Sequence, residues 1–435
     1  MNLERNIEEI RAGFPHLKHI IHLGAAGSAP FELHWYNAIQ EYMTLVSSGS
    51  YLGGGGTHSF LSPMAERTKN EASKLINANS DEITWVSRVV EGINIVKDII
   101  PWKKGDNVVF DDQGYPSSGH TFLQLRKRGV ELRQVQNNNG KVQLFGGSSQ
   151  RKEVVPGCIA YGDLDQAIDE RTKLVCINRT TWHGGFTIDV EAVCKLAHEK
   201  GALVVDDAFQ SVGAIKVDVH KENLDFLITG SYKWQCGPME AGIFYVRKDL
   251  CETLEPTYYQ YVYADVPEAK SVIYPPGAYH ILNCTSIHDN IKSYDYPLVK
   301  NADRFCQSTI ANDMLWGWHA TLKYLNELGA ENIQARDRTL ATYLIEKVQD
   351  IGCTVKTPLD DKTTLDNLHL LSYTTGSDAN DRKSCDALAQ HTPIPIVGPY
   401  MRYQGDFGGI RICTHFYNTE EDIDAFIAIQ KGLMS

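Results

Sequence analysis

Short apolar runs alternate with helix-like segments between about residues 80 and 250 of the chain. The runs are rich in Val, Ile, Leu and Phe, and each is short enough to be a buried strand rather than a helix. They lie at residues 107–110, 173–177, 202–207, 224–230 and 242–246. Alternation of this kind is typical of βαβ units, in which a helix connects one parallel strand to the next. The pattern therefore predicts an α/β fold in which a mostly parallel sheet is sandwiched by helices.

The C-terminal part has a different pattern, with long stretches of helical periodicity and a single strand-like segment. The helical stretches and the strand-like segment lie at residues 311–328, 332–350, 409–413 and 420–431. Thr419 and Asp422 have the spacing of a capping box at the start of the last helix. We interpret this part as a second, smaller α+β domain.

The two parts are separated by residues 258–296, which are rich in Tyr, Pro and Asn and have weak periodicity, so we predict a long connection. The predicted organisation is an N-terminal segment (1–20) that packs with the small domain, a large domain (21–290) and the small domain (291–435). Four consecutive glycines at 53–56 cannot sit stably inside a helix or strand, which predicts a loop there.

Composition narrows the class of protein. The chain has 435 residues and a formal net charge of −12, and no basic block interleaves with aromatic residues, which argues against nucleic acid or membrane partners. Its 10 cysteines are scattered, without a CxxC pair or the spacing of a metal site, which indicates reduced thiols. The N-terminus is charged, unlike a signal peptide, and the apolar stretch 93–100 is interrupted by Lys97 and Asp98. We therefore expect a cytoplasmic protein without a bound metal.

Two polar residues at the predicted strand ends indicate the chemistry. Asp207 ends one apolar run, and Lys233 follows the next run within the segment Gly-Ser-Tyr-Lys-Trp. Ligands of open α/β sheets bind at such strand ends. Pyridoxal phosphate needs a lysine amine, which forms a Schiff base with its aldehyde, and an acid that keeps its ring nitrogen protonated. Lys233 and Asp207 fit these two roles, with Asp206 as the competing acid.

Four segments of the chain resemble one protein family. They are Asp-Ala-Phe-Gln at 207–210, Gly-Ser-Tyr-Lys-Trp at 230–234, Arg-Phe-Cys-Gln-Ser-Thr at 304–309 and Ile-Arg-Ile-Cys-Thr-His-Phe-Tyr-Asn-Thr at 410–419. From about residue 20 onwards the chain is similar to the class V aminotransferase family. These are fold-type I pyridoxal phosphate enzymes that include cysteine desulfurases, selenocysteine lyases and isopenicillin N epimerase-like proteins. The resemblance implies the fold-type I architecture and pyridoxal 5'-phosphate as the cofactor.

The resemblance also implies which residues contact the cofactor. They are Tyr115 by stacking on the ring, Gln210 and Trp182 near the ring hydroxyl, and Val89, Val90, Ser231, Tyr232 and Thr309 near the phosphate. The family has a Gly-Ala-Thr turn where this chain has Arg88, Val89 and Val90, so backbone amides would replace the missing hydroxyl donor. Thr309 would reach the phosphate of a neighbouring subunit, and the glycines at 53–56 with His58 would close over the same shared site, which implies a homodimer.

Arg411 matches the arginine that precedes Tyr-Asn-Thr near the C-terminus of family members. A guanidinium can hold the α-carboxylate of an amino acid with two parallel hydrogen bonds, and Arg402 is the second choice for this role. Lys233, once displaced from the cofactor by the substrate amine, is then the natural base for the Cα proton. We therefore expect a small L-amino acid, or a derivative of one, as the substrate.

Transamination, racemisation and β-elimination all share loss of the Cα proton. The resemblance implies that a cysteine desulfurase carries a nucleophilic cysteine on a loop before the terminal arginine, but residues 391–405 contain none. Cys385 precedes this stretch and Cys413 follows it. An aminotransferase or epimerase-like reaction is the first expectation, and a cysteine or cystine C–S lyase is the alternative. A protein that keeps the fold but has lost catalysis is a further alternative.

Overall fold

The computed structural model describes residues 3, 6–48, 56–136, 141–144, 147–150, 161–258, 298–307, 311–402 and 409–434. Its strands are β1 (Ile21–His22), β2 (Ile83–Val86), β3 (Asn107–Asp111), β4 (Glu131–Val135), β5 (Lys141–Leu144), β6 (Gly147–Gln150), β7 (Thr172–Ile177), β8 (Leu203–Asp207), β9 (Phe226–Gly230), β10 (Gly242–Val246), β11 (Thr354–Val355), β12 (Leu370–Thr374), β13 (Ile396–Val397), β14 (Tyr400–Arg402) and β15 (Gly409–Cys413).

Its α-helices are α1 (Ile7–Ala12), α2 (Leu33–Ser47), α3 (Gly56–Ile76), α4 (Val89–Ile99), α5 (Pro116–Thr121), α6 (Tyr161–Ala167), α7 (Val190–Glu199), α8 (Lys248–Thr253), α9 (Asn312–Leu328), α10 (Ala330–Asp350), α11 (Lys362–Asp366), α12 (Asp378–Ala389) and α13 (Glu420–Met434). Among the residues described, no helix is long and apolar enough to cross a membrane.

The large sheet has the strand order β2-β10-β9-β8-β7-β3-β4-β5-β6. Its centre, from β9 to β4, is parallel, whereas β10 and β2 at one edge and β5 and β6 at the other are antiparallel. The prediction of a mostly parallel sheet is confirmed. The strand at 242–246 has the predicted bounds but runs antiparallel to its neighbours, which its apolar pattern alone does not reveal.

Helices cover both faces of this sheet, and successive strand residues therefore enter two separate cores. Val109 and Val204 pack in the core that includes Val193 of α7. Their neighbours Val108 and Val205 pack on the opposite face, in the core to which α4 contributes. This period of two residues follows from the pleat of a strand, in which side chains alternate between faces. It also assigns the two aspartates at the end of β8 to opposite faces.

The C-terminal sheet is antiparallel, with the order β11-β12-β15-β14. Leu344, Leu388 and Phe426, from helices α10, α12 and α13, pack with it in a third core. Strand β1, near the N-terminus, pairs in parallel with β13, and Arg11 forms an ion pair with Asp422. The N-terminal segment thus contacts the C-terminal part, although the boundaries at residues 20 and 290 stay predictions.

The structure tests two smaller predictions. The Thr419 hydroxyl accepts a hydrogen bond from the Asp422 amide at 3.2 Å, and the Asp422 carboxylate accepts one from the Thr419 amide, so the capping box is present. The predicted glycine loop is wrong at its last residue, because helix α3 begins at Gly56 and tolerates glycine at its free end. The rest of that loop, and the long connection beyond residue 258, lie outside the described residues.

Candidate active site

The carboxyl ends of β7, β8 and β9 open onto a cavity of about 460 Å³. The residues that line it come from five parts of the chain: Ala26 and Gly27; Ser87, Arg88, Val89, Val90 and Ile93; Tyr115, Ser117 and Ser118; Asn178, Trp182, Asp207, Phe209, Gln210, Gly230, Tyr232 and Lys233; and Arg411. The cavity therefore lies at the sheet edge where open α/β folds bind ligands.

Lys233 belongs to a segment whose conformation is fixed by its neighbours' hydrogen bonds. The side-chain Nε2 of Gln235 donates to the Gly230 carbonyl at 3.1 Å, and the backbone amide of Gly237 donates to the Ser231 carbonyl at 3.0 Å. The Ser231 hydroxyl, which is fully buried, donates to the Pro238 carbonyl and does not line the cavity. A contact from Ser231 to a phosphate would require this bond to break and stays a prediction.

The Lys233 amine lies near two aromatic rings inside the cavity. Its Nζ is 3.9 Å from the centroid of the Phe209 ring and 5.9 Å from that of Tyr115. Gly230 makes room for the Phe209 ring, because a Cβ at residue 230 would lie 2.7 Å from it. Burial lowers the pKa of Lys233 to about 7, with a further decrease from Arg411 that the Asp207 carboxylate opposes. The amine is therefore substantially neutral, and hence nucleophilic, near neutral pH.

This pKa leads to a prediction about labelling of Lys233 in the cofactor-free protein. Only a neutral amine attacks an acylating reagent, so trace labelling by acetic anhydride should increase up to about pH 7 and then level off. Lys216 is an internal control, because its hydrogen bond to Glu331 raises its pKa and its labelling should continue to increase. Peptide mass spectrometry measures both rates. Parallel profiles for the two lysines would contradict a depressed pKa at Lys233.

Asp207, rather than Asp206, faces the cavity. The Asp207 carboxylate accepts hydrogen bonds from the Ser118 hydroxyl at 2.9 Å and the Phe209 amide at 3.2 Å. Burial raises its pKa, and Lys233 and Ser118 oppose the increase. Asp206 is fully buried on the other face, where it accepts a hydrogen bond from the Arg179 guanidinium at 2.8 Å. The geometry therefore favours Asp207 for contact with a ligand.

The other residues predicted to contact the cofactor ring also line the cavity. Tyr115 precedes α5, is half-exposed, and packs edge-on against Trp182 with ring centroids 5.7 Å apart. The Gln210 amide is already engaged, since it donates to the Ala26 carbonyl at 3.1 Å and accepts from the Trp234 indole at 2.9 Å. Both predicted contacts with a ring, stacking by Tyr115 and hydrogen bonding by Gln210, stay predictions.

Helix α4 begins at the cavity wall and offers an anion site. Arg88 is its N-cap, but no side chain caps the helix there, and the first amides of a helix have no acceptor within it. These amides belong to Val89 and Val90, the two residues predicted to hold the phosphate. Arg88 itself forms an ion pair with Glu240. Tyr232 presents a ring to the same cavity and packs edge-on against Phe209 at 5.0 Å.

Arg411, on strand β15 of the C-terminal sheet, also lines the cavity. Its Nη1 donates to the Trp182 carbonyl at 3.0 Å, and its guanidinium carbon lies 5.8 Å from the centroid of the Trp182 ring. Arg402 ends β14, but its side chain is outside the described part of the structure. Thr309 and the side chain of His58 also lie outside it, so their roles stay predictions.

Two residues that hydrogen-bond to Asp207 were missed in the sequence. Ser118 donates to Asp207, and the Asn178 side chain accepts from the Tyr115 amide at 3.2 Å and donates to the Asp207 carbonyl at 3.4 Å. Asn178 directly follows β7, so the rule that polar residues at strand ends face the ligand would have found it. Ser118 had no comparable signal. No metal-binding cluster of His, Cys, Asp or Glu occurs among the residues that the structure describes.

The donor groups of the cavity fit pyridoxal phosphate. A desolvated lysine and a desolvated aspartate line the same cavity, and the helix that begins at its wall has no side-chain cap among the described residues, so its first amides provide for an anion. The family model described as Aminotransferase class-V matches residues 21–274 and 280–426 of the chain. Fold and site thus define a pyridoxal phosphate-dependent enzyme of fold type I. The chain belongs to the class-V aminotransferase family.

The chain is also similar to individual relatives over nearly its whole length. A probable cysteine desulfurase of Methanothermobacter thermautotrophicus is 26% identical over 431 residues, which cover 96% of this chain and 95% of that protein. The uncharacterized aminotransferase YcbU of Bacillus subtilis is 22% identical over 424 residues, which cover 97% of this chain and 96% of that protein. These identities are too low to transfer a substrate.

Solved structures support the fold. The apo structure of cysteine desulfurase from Thermococcus onnurineus NA1 has a TM-score of 0.75 at 20% identity and covers 98% of both chains. The cystine C-S lyase C-DES, in complex with its product cysteine persulfide, has a TM-score of 0.76 at 19% identity and covers 96% of this chain and 99% of that one. At this level of identity the similarity establishes the fold alone.

Proposed function

We propose that this enzyme acts at the Cα of a small L-amino acid or amino-acid derivative, in an aminotransferase or epimerase-like reaction. The observation that carries the proposal is the position of the Lys233 amine, which lies in one cavity with Asp207 and Arg411. When bound, pyridoxal phosphate supplies a ring that accepts the electron pair of the broken Cα bond. The residues around it determine which bond that is.

Arg411 is the group that we assign to the substrate carboxylate. Its Nη1 is anchored on the Trp182 carbonyl, which fixes the plane of the guanidinium. Its Nη2 lies beside Gly27 at the cavity wall, 3.6 Å from the position that a Cβ at residue 27 would take. A carboxylate held by such a planar cation has a defined orientation, and its Cα is thereby directed toward Lys233.

Lys233 is the group that we assign to proton transfer at Cα. With a pKa of about 7, its Nζ can accept a proton and return it at neutral pH, which is the condition for efficient general acid–base catalysis. The negative charge of Asp207 stabilises positive charge in the cavity. The Lys233 side chain is buried beside the Phe209 ring, which limits the access of water to the amine.

A panel of L-amino acids, each tested with and without a keto acid acceptor, distinguishes the reactions that follow. Exchange of the Cα proton in deuterium oxide, measured by NMR, is expected for the true substrate, with an exchange rate at least about 100-fold above that of Lys233→Ala. Acceptor-dependent product indicates transamination, and exchange with loss of optical rotation indicates epimerisation. No exchange with any amino acid would contradict the proposal.

The second candidate is β-elimination from cysteine or cystine, which needs no cysteine of the protein. Cys413 is a poor persulfide carrier, because it is buried, its Sγ contacts the Ala26 amide at 3.3 Å, and burial raises its thiol pKa to about 11. Its thiolate is therefore scarce at neutral pH. Pyruvate and sulfide released from cysteine would favour this candidate over the first.

We further propose that the enzyme is a cytoplasmic homodimer whose subunits complete each other's sites, on the basis of the family resemblance at Thr309. Light scattering should give twice the chain mass of 48.7 kDa. Mixtures of Lys233→Ala and Thr309→Ala should then recover up to about a quarter of wild-type activity, because random exchange puts both defects into the same site of a mixed dimer and leaves the other site intact. A fully active monomer would contradict the proposal.

A further inference from the structure

A buried histidine joins the Lys233 segment to the C-terminal part of the chain. His415 lies just after β15, and its Nε2 is 2.9 Å from the carbonyl oxygen of Trp234, the residue next to Lys233. Its Nδ1 is 2.9 Å from Oδ2 of Asp337, on helix α10. Both side chains are completely buried. The His415–Asp337 pair therefore bridges α10 and the segment that carries the reactive amine.

The partners of His415 determine where its protons are. A carbonyl oxygen only accepts hydrogen bonds, so Nε2 must carry a proton and donate it to Trp234. The contact between Nδ1 and Asp337 then contains one proton, whichever atom holds it, and the pair is neutral overall. Oδ1 of Asp337 has no hydrogen-bond partner within the described part of the chain, so His415 is the group that hydrogen-bonds this buried carboxylate, and the charge of Arg336 adds to the compensation.

The side chain of Trp234 is also fixed, both by a hydrogen bond from its indole N–H and by packing of its ring. Its indole donates to the Gln210 side chain, and its ring packs edge-on against His415 at 5.1 Å and His369 at 4.6 Å. Its carbonyl also abuts Gly213, where a Cβ would lie 2.5 Å from the oxygen. The orientation of the Trp234–Gln235 peptide is thus set by residues far from it in sequence.

His415 follows Arg411 by four residues and lies just beyond the end of the strand that contains Arg411. One short segment of the C-terminal part therefore holds both the arginine assigned to the substrate carboxylate and the imidazole that contacts the Lys233 segment. A shift of this segment would move both groups together. The distance between the carboxylate site and the Lys233 amine depends on this connection.

We propose that His415, held by Asp337, is a positioning residue that fixes the Trp234–Gln235 peptide, directly after Trp234, and so directs the amine of the adjacent Lys233 into the cavity. The proposal rests on the proposed function only for the role of Lys233. Its direct consequence concerns the protein without cofactor: the turn in which the Cys236 amide donates to the Lys233 carbonyl at 3.1 Å should loosen when the bond to Trp234 is lost.

Three variants distinguish the effect of losing the hydrogen bond from His415 to Trp234 from the effect of leaving the Asp337 charge without its partner. His415→Asn puts an amide near the Nδ1 position, so it keeps the partner of Asp337 but loses Trp234. His415→Gln with Asp337→Asn puts an amide near the Nε2 position, so it keeps the bond to Trp234 without the carboxylate. His415→Phe with Asp337→Leu removes both polar groups, and replacements of this kind are often neutral for stability.

The measurement is hydrogen exchange of the peptide that spans residues 231–237, by mass spectrometry of the cofactor-free protein. We expect about tenfold faster exchange in His415→Asn and in the Phe/Leu variant, the factor for loss of one neutral hydrogen bond, and wild-type exchange in the Gln/Asn variant. His22→Asn is the matched control. His22 is buried at the same junction but contacts the Tyr417 hydroxyl rather than the Lys233 segment, so its loss should leave the peptide unchanged.

A second readout is the rate at which added pyridoxal phosphate becomes fixed to Lys233 by borohydride, which should be lowered in the same two variants and normal in the Gln/Asn variant. Wild-type exchange in the folded Phe/Leu variant would overturn the proposal. Equal hydrogen exchange of residues 231–237 in His415→Asn and in the Gln/Asn variant would overturn it as well. If His415→Asn does not fold, the two double variants decide. Neither measurement involves turnover, so failure of the proposed reaction leaves this result intact.

Discussion

Replacing Lys233 with alanine is expected to lower turnover by at least about 10³-fold, since general acid–base catalysis alone contributes roughly 10²–10⁴ and the covalent role is lost as well. The variant should still fold. The hydrogen bonds that fix the segment come from Ser231, Gln235 and Gly237, and none of them involves the lysine side chain. Circular dichroism and thermal unfolding compare its fold with that of the wild type.

The same variant tests the position of the cofactor. Borohydride treatment of the wild-type holoenzyme should leave one cofactor adduct per chain, and peptide mapping should assign it to Lys233. Lys216→Ala is the matched control, because this lysine is exposed and does not line the cavity, and it should keep both adduct and activity. An adduct on a different lysine would refute the assignment. A colourless wild-type protein that takes up no cofactor would instead favour a non-catalytic scaffold.

Replacing Asp207 with asparagine is expected to lower turnover by about 100-fold while cofactor remains bound, because an amide lacks the negative charge that stabilises a protonated ring nitrogen. Asp206→Asn is the matched control, one residue earlier on the other face of β8. It should keep its activity per folded chain but lose stability. It breaks the buried ion pair with Arg179, and breaking such a pair costs about 3–5 kcal/mol.

The two aspartate variants therefore separate catalysis from stability. Turnover normalised to the folded fraction and the denaturant midpoint give the two quantities independently. Loss of activity in Asp206→Asn together with normal activity in Asp207→Asn would mean that the register of the motif is shifted by one residue. If both variants lose activity while their stability is unchanged, the two aspartate side chains cannot point to opposite faces of β8 as the structure has them.

The parts of the fold that could be predicted depend on local pattern. The strand at 409–413 and the capping box of Thr419 and Asp422 occur as the sequence indicated, because strand burial and helix capping are set by residues close in the chain. The alternation of side chains along β8 also distinguishes Asp207 from Asp206. The strand order and the antiparallel edges could not be read in this way, since they depend on contacts between distant segments.

In the candidate site, too, the sequence indicated what residue type and motif determine, but not what contacts between distant segments determine. The sequence indicated Lys233, Asp207 and Arg411 by residue type and motif, and the structure brings all three to one cavity. It did not indicate that the Phe209 ring lies beside the amine, because this position requires Gly230 on the neighbouring strand. The inward direction of the Ser231 hydroxyl was equally hidden, since only the fold of its turn determines its acceptor.

One wall of the cavity is formed by Ala26 and Gly27, and the contacts of this wall affect when the site can form during synthesis. The Ala26 amide contacts the Cys413 thiol, and the Cys413 amide donates to the Leu23 carbonyl at 3.1 Å, so this early segment is held by one of the last strands. A nascent chain that has not yet reached residue 413 can build the strand that carries Asp207 and the turn that carries Lys233, but not the enclosed cavity. Ribosome-bound intermediates should therefore retain the cofactor poorly, and its stable capture belongs to the final stage of maturation.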